Sequence, residues 1–165
     1  MNSFAEAVAE AQEKVWIVDE YLLRPRECTP AERVDQILKW IPNTIVASDI
    51  KLLVKGHEDE CTNDLLDEQF QRHAAEVNRT NTRRVQQLKI EVNFTLMTNF
   101  DLLHDRFAIV DDELWHFGAA VAGLHWQVSA TTRGWRASDH RAEDFFKLAW
   151  GKETRRMKGR RNNDY

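Results

Sequence analysis

An uninterrupted apolar run between a histidine and an aspartate limits the possible folds of this chain more than any other part of its sequence. Phe107–Val110 is apolar throughout, as expected for a central strand covered on both faces. Residues two apart in an extended chain point to the same side, so His104 and Arg106 can address one phosphate together. Asp111 closes the run. The segment therefore predicts a buried strand carrying a site, with imidazole as nucleophile or proton carrier and guanidinium as charge clamp.

This segment, read as His104-x-Arg106-x4-Asp111 and followed by Gly118-Ala119, resembles the signature of the phospholipase D superfamily, H-x-K-x4-D and then G-S. The spacing matches and three residue types differ. Arg106 stands where the family has lysine, Ala119 where it has serine, and Val121 where many nuclease members carry asparagine. The resemblance implies a phospholipase D-like α/β fold, with a mixed β-sheet flanked by helices.

The resemblance also implies a chemistry. In the family, one histidine attacks phosphorus to form a phosphohistidine, a second protonates the leaving group, and lysines hold the phosphate oxygens, with no metal or other cofactor. By position, His104 would be the nucleophile or general acid, Arg106 the phosphate clamp, and Asp111 a carboxylate supporting the site geometry. Since the sequence contains one such motif, a two-histidine mechanism requires a homodimer, and two-fold pairing is the commonest oligomer.

Other residues are assigned to the site with less specificity. Gly118 and Ala119 are expected to contact the substrate, and Arg133 is expected to line a substrate groove or a dimer contact together with Trp126 and Trp135. Nuclease members usually place an acid after the glycine element to orient the histidine, but 114–138 has none. Five acids elsewhere are alternatives: Asp139, Glu143, Asp144, Asp19 and Glu20.

Composition and charge set the wider limits. The net charge is −4, the hydrophobic fraction 42% and the charged fraction 30%, which gives no overall attraction to nucleic acid or membrane. The predicted organisation is a phospholipase D-like domain over 1–150 and a basic C-terminal tail over 151–165. That tail has six Lys and Arg against two acids, so it is either a phosphate contact or a solvated end.

Cysteine usage and hydropathy indicate the compartment. Cys28 and Cys61 are the only cysteines and lie far apart, so neither a disulfide framework nor a zinc motif is indicated. The N-terminal residues lack a basic region followed by an apolar core, and no apolar run approaches the length of a membrane span. These observations predict a cytoplasmic protein with no membrane partner.

Hydrophobic periodicity predicts helices alternating with strands, and hence an α/β domain with a mixed sheet. Capping boxes at Ser3 and Thr29 begin two helices, one running to about Gln12 and one ending before Pro42. The later helices are expected over about 63–88 and from about Asp139. Strands are expected over 15–18, 44–46, 50–54, 89–97, 107–110 and 114–117.

Three functions remain open at this point. The first is a phosphodiesterase, most plausibly a metal-independent nuclease, because a chain without membrane-binding features has better access to nucleic acid than to lipid. The second is a degenerate module that binds nucleic acid or phosphate without turnover, for which the resemblance suggests a bacterial defence or mobile-element system. The third is a dimerising interaction protein.

Overall fold

The computed structural model describes residues 3–96, 105–121 and 130–151. Its helices are α1 (Phe4–Glu10), α2 (Pro30–Leu38), α3 (Glu60–Thr80) and α4 (Ala142–Gly151). Its strands are β1 (Lys14–Asp19), β2 (Asp49–Val54), β3 (Lys89–Asn93), β4 (Arg106–Val110), β5 (Glu113–Phe117) and β6 (Thr131–Arg136). The predicted α/β class is confirmed.

The described strands form one six-stranded mixed sheet in the order β3-β2-β1-β4-β5-β6. Strands β3, β2 and β1 are parallel, and the helices α2 and α3 provide the crossovers that parallel neighbours require. Strands β4, β5 and β6 are antiparallel to their neighbours, and β4 pairs with β1. The boundary between the parallel and antiparallel halves therefore runs between β1 and β4, in the middle of the sheet.

Helices cover both faces of this sheet. Side chains of α1, α2 and α3, such as Phe4, Ile37 and Phe70, belong to one apolar cluster with alternate residues of the central strands. On the other face, α4 packs Phe146 against Trp16, with ring centroids 4.8 Å apart. Both faces of β1 and β4 are therefore buried, as their continuous apolar sequences predicted.

The local helix signals are confirmed. Ser3 and Thr29 each accept a hydrogen bond from the backbone N–H three residues on, and Glu6 and Glu32 accept one in return. Pro30 occupies the first position of α2, where a missing N–H costs nothing. These contacts satisfy backbone donors within the first turn, so sequence alone places both helix starts.

The segment between α3 and β3 differs from the prediction. The expected helix over 63–88 begins earlier, at Glu60, and ends at Thr80, while Val85 is 99% exposed. The expected strand over 44–46 is wrong as well. The Arg84 guanidinium donates to the carbonyl oxygens of Ile45, Val46 and Ala47, so the two segments hold each other in irregular conformations. Such a long-range side-chain contact leaves no periodic trace in the sequence.

Strand β6 was not predicted. All six of its residues are exposed, so its sequence does not alternate between apolar and polar residues. It lies at the edge of the described sheet and is held by backbone pairing with one neighbour. Gly134 has a φ of 104°, and the register between β5 and β6 shifts at Leu114 and Trp115. In the described part of the chain, none of the helices is both long and apolar enough to cross a membrane.

Candidate functional site

The carboxyl end of β1, the start of β4 and the end of β5 meet at one corner of the sheet. Val18 pairs with Phe107 across β1 and β4, which brings Asp19 beside Arg106. Arg106 also pairs with Phe117, the last residue of β5. We call this place the Arg106 corner and define it by Asp19, Glu20, Tyr21, Arg106 and Val121.

Arg106 is held at this corner by charge and by ring stacking. Its Nε lies 3.8 Å from Asp19 Oδ1, and an Nη lies 3.8 Å from Glu20 Oε1. Its guanidinium carbon lies 4.9 Å from the centre of the Tyr21 ring, within the range of a cation–π contact. Both ionic distances exceed hydrogen-bond length, and Nε is buried without a hydrogen-bond partner among the described residues. No side chain or backbone group of the described residues therefore accepts a hydrogen bond from this guanidinium, and the Arg106 side chain is 21% exposed.

Asp19 is fully buried and anchors the corner. One of its carboxylate oxygens accepts from the Tyr21 N–H at 2.8 Å, and the other accepts from the Val121 N–H at 2.9 Å. Burial raises the pKa of Asp19, while these two hydrogen bonds and the charge of Arg106 oppose the shift. Its carboxyl group thus ties the segment after β5 to the end of β1.

Two of the predicted substrate contacts lie in that segment. Gly118 is exposed and donates its N–H to the Ala130 carbonyl oxygen at 2.9 Å. Ala119 is half-buried, and the chain then turns inward to the buried residues Ala120 and Val121. Because Val121 bonds to Asp19, the structure brings the glycine element to the same end of the sheet as Arg106.

His104, the predicted nucleophile, lies outside the described residues, as do Trp126 and residues 152–165 of the predicted basic tail. Among the residues that are described, no group of three or more His, Cys, Asp or Glu side chains is arranged to hold a metal ion.

Asp111 lies at the opposite end of β4 from Arg106. Its carboxylate accepts from the backbone N–H groups of Gln12, Glu13 and Lys14, at 3.0, 2.8 and 3.1 Å. Five strand positions separate it from Arg106, which corresponds to about 16 Å at the usual rise of a strand. The structure therefore does not bring Asp111 to the Arg106 corner, and any effect on site geometry passes through β4 itself.

Arg133 is also placed away from the corner. It lies on the edge strand β6, with its guanidinium 4.9 Å from the Trp115 ring centre and its Nε 3.9 Å from Glu113 Oε1. Two of the alternative orienting acids have other partners: Glu143 pairs with Lys14 at 2.5 Å and Asp144 with Arg141 at 3.2 Å. Of the five alternative acids, Asp19 and Glu20 are the ones that make an ionic contact with Arg106 in the described part of the chain.

Sequence reasoning identified Asp19 and Glu20 only as alternatives and missed Tyr21. The available signal was the position of the two acids directly after a buried strand, where side chains reach the edge of a sheet. Their pairing with Arg106 depends on the antiparallel register of β1 and β4. For Tyr21 the sequence carries no comparable signal, because its role comes only from the approach of the Arg106 guanidinium.

In comparisons with known proteins, no family model and no curated protein matches the chain. Solved structures similar to it include TrmBL2, an archaeal chromatin protein whose structure is described as showing a novel mode of DNA binding. The identity is 15% and the TM-score 0.45, over 90% of this chain and 47% of that one, so this chain spans about half the length of TrmBL2. A likeness at this TM-score establishes neither a shared fold nor a shared function.

Proposed function

We propose that this chain is a phospholipase D-like domain that binds a phosphodiester group of nucleic acid at the Arg106 corner and, as a homodimer, cleaves it without a metal ion. The observation that supports the proposal is the state of Arg106. Its guanidinium is positioned by two carboxylates but makes no hydrogen bond to any described residue. An unpaired buried donor costs about 1–3 kcal/mol, and a bound phosphate oxygen would relieve that cost.

The proposed catalytic group is His104, two residues before Arg106 in the sequence. In the proposed reaction, imidazole attacks phosphorus and one ester oxygen leaves, taking a proton from the His104 of a second copy. The second His104, now neutral, then takes a proton from water as the water oxygen bonds to phosphorus, the P–N bond to the first His104 breaks, and both histidines return to their starting protonation states. Cationic Arg106 would stabilise the charge that develops on the phosphoryl oxygens.

A second candidate, binding without cleavage, is favoured by the surroundings of Arg106. Two carboxyl groups face a single guanidinium there, and whatever negative charge they carry opposes the approach of an anion. Ala119 also offers no hydroxyl for a phosphate oxygen. This version of the proposal keeps the phosphate site and omits turnover.

Cleavage of labelled single- and double-stranded DNA in EDTA tests the proposal. We expect cleavage by the wild type and none by His104→Ala, while Arg106→Gln weakens binding at least tenfold. Arg79→Gln is the matched control, because Arg79 is an exposed arginine on α3 that pairs with Glu76. Binding without cleavage by the wild type selects the second candidate.

Three other results would count against the proposal. Cleavage that survives His104→Ala, or that appears only with added magnesium, contradicts the metal-independent histidine mechanism. Binding that Arg106→Gln reduces no more than Arg79→Gln contradicts the phosphate site. Sedimentation at micromolar concentration tests the homodimer, and a monomer would rule out a site shared between two copies.

A further inference from the structure

A pocket of about 250 Å³ lies on the α4 side of the sheet, beside the Arg106 corner. Its apolar residues include Phe107, Leu114 and Phe145, contributed by β4, β5 and α4. Asp105, the residue immediately before Arg106, lies at its rim. The pocket and the corner therefore open near the same end of β4, on opposite faces of the sheet, since Arg106 and Phe107 point to opposite sides.

The rest of the lining consists of Trp135, two histidines, Ala142 and Arg141, whose guanidinium pairs with Asp144. Trp135 on β6 is 52% exposed, which is unusual for so large an apolar side chain, and its ring lies 5.6 Å from that of His140. His116 on β5 is 47% exposed, and its Nε2 lies 4.0 Å from Asp105 Oδ1. An exposed indole thus stands next to two imidazoles and a carboxylate, above an apolar floor.

We infer that this pocket binds one unpaired base of a single-stranded nucleic acid whose phosphate occupies the Arg106 corner, an inference that rests on the proposed function. A base presents a flat apolar face and a polar edge. The Trp135 ring matches the face, while imidazole nitrogens and the Asp105 carboxylate can bond to the edge. The volume falls just below the ~300–1,000 Å³ of sites for drug-sized ligands, which suits a single heterocycle.

The position of the pocket favours an unpaired base over a duplex. A paired base is stacked between its neighbours and cannot enter a recess in a protein unless it is extruded from the helix. The pocket walls would enclose the base from both the β6 and the α4 side. The protein should therefore discriminate between strands with bases and strands without them, which simple attraction to phosphate does not.

Fluorescence anisotropy with three short labelled strands tests the inference: oligodeoxyadenylate, oligoriboadenylate and an abasic phosphodiester polymer of equal length. We expect Trp135→Ala to weaken binding of the base-carrying strands about fivefold or more, since stacking on an aromatic side chain contributes ~1–3 kcal/mol per base. Affinity for the abasic polymer should stay unchanged. Trp135→Phe should restore most of the loss, and His140→Ala should reproduce part of it.

Leu65→Ala is the matched control, because Leu65 is a 62% exposed apolar residue on α3. If Trp135→Ala lowers all affinities equally, or none, the base pocket is wrong. Equal effects on the two adenylate strands support a base site shared by DNA and RNA, and a loss confined to one of them assigns the site to that polymer.

The two proposals fail differently. If Arg106→Gln leaves every affinity unchanged while Trp135→Ala acts on the base-carrying strands, the phosphate site is wrong and the base pocket is upheld. If the wild type binds none of the strands, both proposals are overturned.

Discussion

Asp111 lies far from the Arg106 corner, and replacing it tests whether its role is to stabilise the fold. Its carboxylate accepts hydrogen bonds from the N–H groups of Gln12, Glu13 and Lys14, where the chain passes from α1 into β1. A hydrogen bond to a charged group contributes ~1.5–3 kcal/mol when water cannot replace it. Gln12 and Glu13 are exposed, so water replaces much of their share, and we expect Asp111→Ala to lower the free energy of unfolding by ~2–4 kcal/mol.

The backbone conformation of Asp111 makes a second contribution to the free energy of unfolding, which can be measured separately from that of the hydrogen bonds. Asp111 has a φ of 55°, in the left-handed region that aspartate, asparagine and glycine tolerate better than alanine. Asp111→Gly loses the hydrogen bonds without the alanine strain, and Asp111→Asn keeps one acceptor oxygen. The expected order of stability is therefore wild type, then asparagine, glycine and alanine, with glycine and alanine about 1 kcal/mol apart.

Urea unfolding followed by circular dichroism measures these differences. Asp35→Ala on α2 is the control, because Asp35 is exposed and its carboxylate makes no hydrogen bond or ion pair with any described residue. Its change should stay within ~0.5 kcal/mol. An Asp111→Ala protein as stable as this control, or a glycine variant less stable than the alanine one, would contradict the stabilising role of Asp111.

The remaining predictions concern a buried acid and the core. Burial raises the pKa of Asp19, so the native state keeps a proton that the unfolded chain releases near pH 4. The free energy of unfolding of the wild type, minus that of Asp19→Asn, should therefore fall as the pH rises from about 4 to the raised pKa of Asp19 and then stay constant. A difference that rises with pH contradicts this sign. Phe146→Ala should cost ~3–5 kcal/mol in thermal or urea unfolding, because the ring is 1% exposed and stacks on Trp16. Val85→Lys should change stability by less than ~0.5 kcal/mol, and a larger loss would mean that Val85 is packed after all.

The elements that sequence predicted well are those whose signals are local. The capping boxes at Ser3 and Thr29 satisfy donors within one helical turn, and the acidic pair Asp111-Asp112 turns the chain between two apolar runs. A window of a few residues contains all the groups that stabilise such features. The alternation of helices and strands then led to the correct fold class.

The elements that sequence missed depend on distant partners. Strand β6 pairs with β5 through its backbone and has no buried stripe, and the segment that follows α3 is held by Arg84, which binds the carbonyl groups of 45–47. Backbone pairing and long-range capping use groups that nearly every residue carries. A single sequence does not reveal which of those groups will meet.

The same division applies to the site. The order of residues predicts that a cation precedes a buried strand and that two acids follow another, because both facts concern neighbours in the chain. That these groups share one corner depends on the antiparallel register of β1 and β4, which exists only in the folded molecule. The folded structure also brought the glycine element to this corner, because the Val121 N–H bonds to Asp19, whereas the distance of Asp111 from Arg106 already follows from an extended strand of that length.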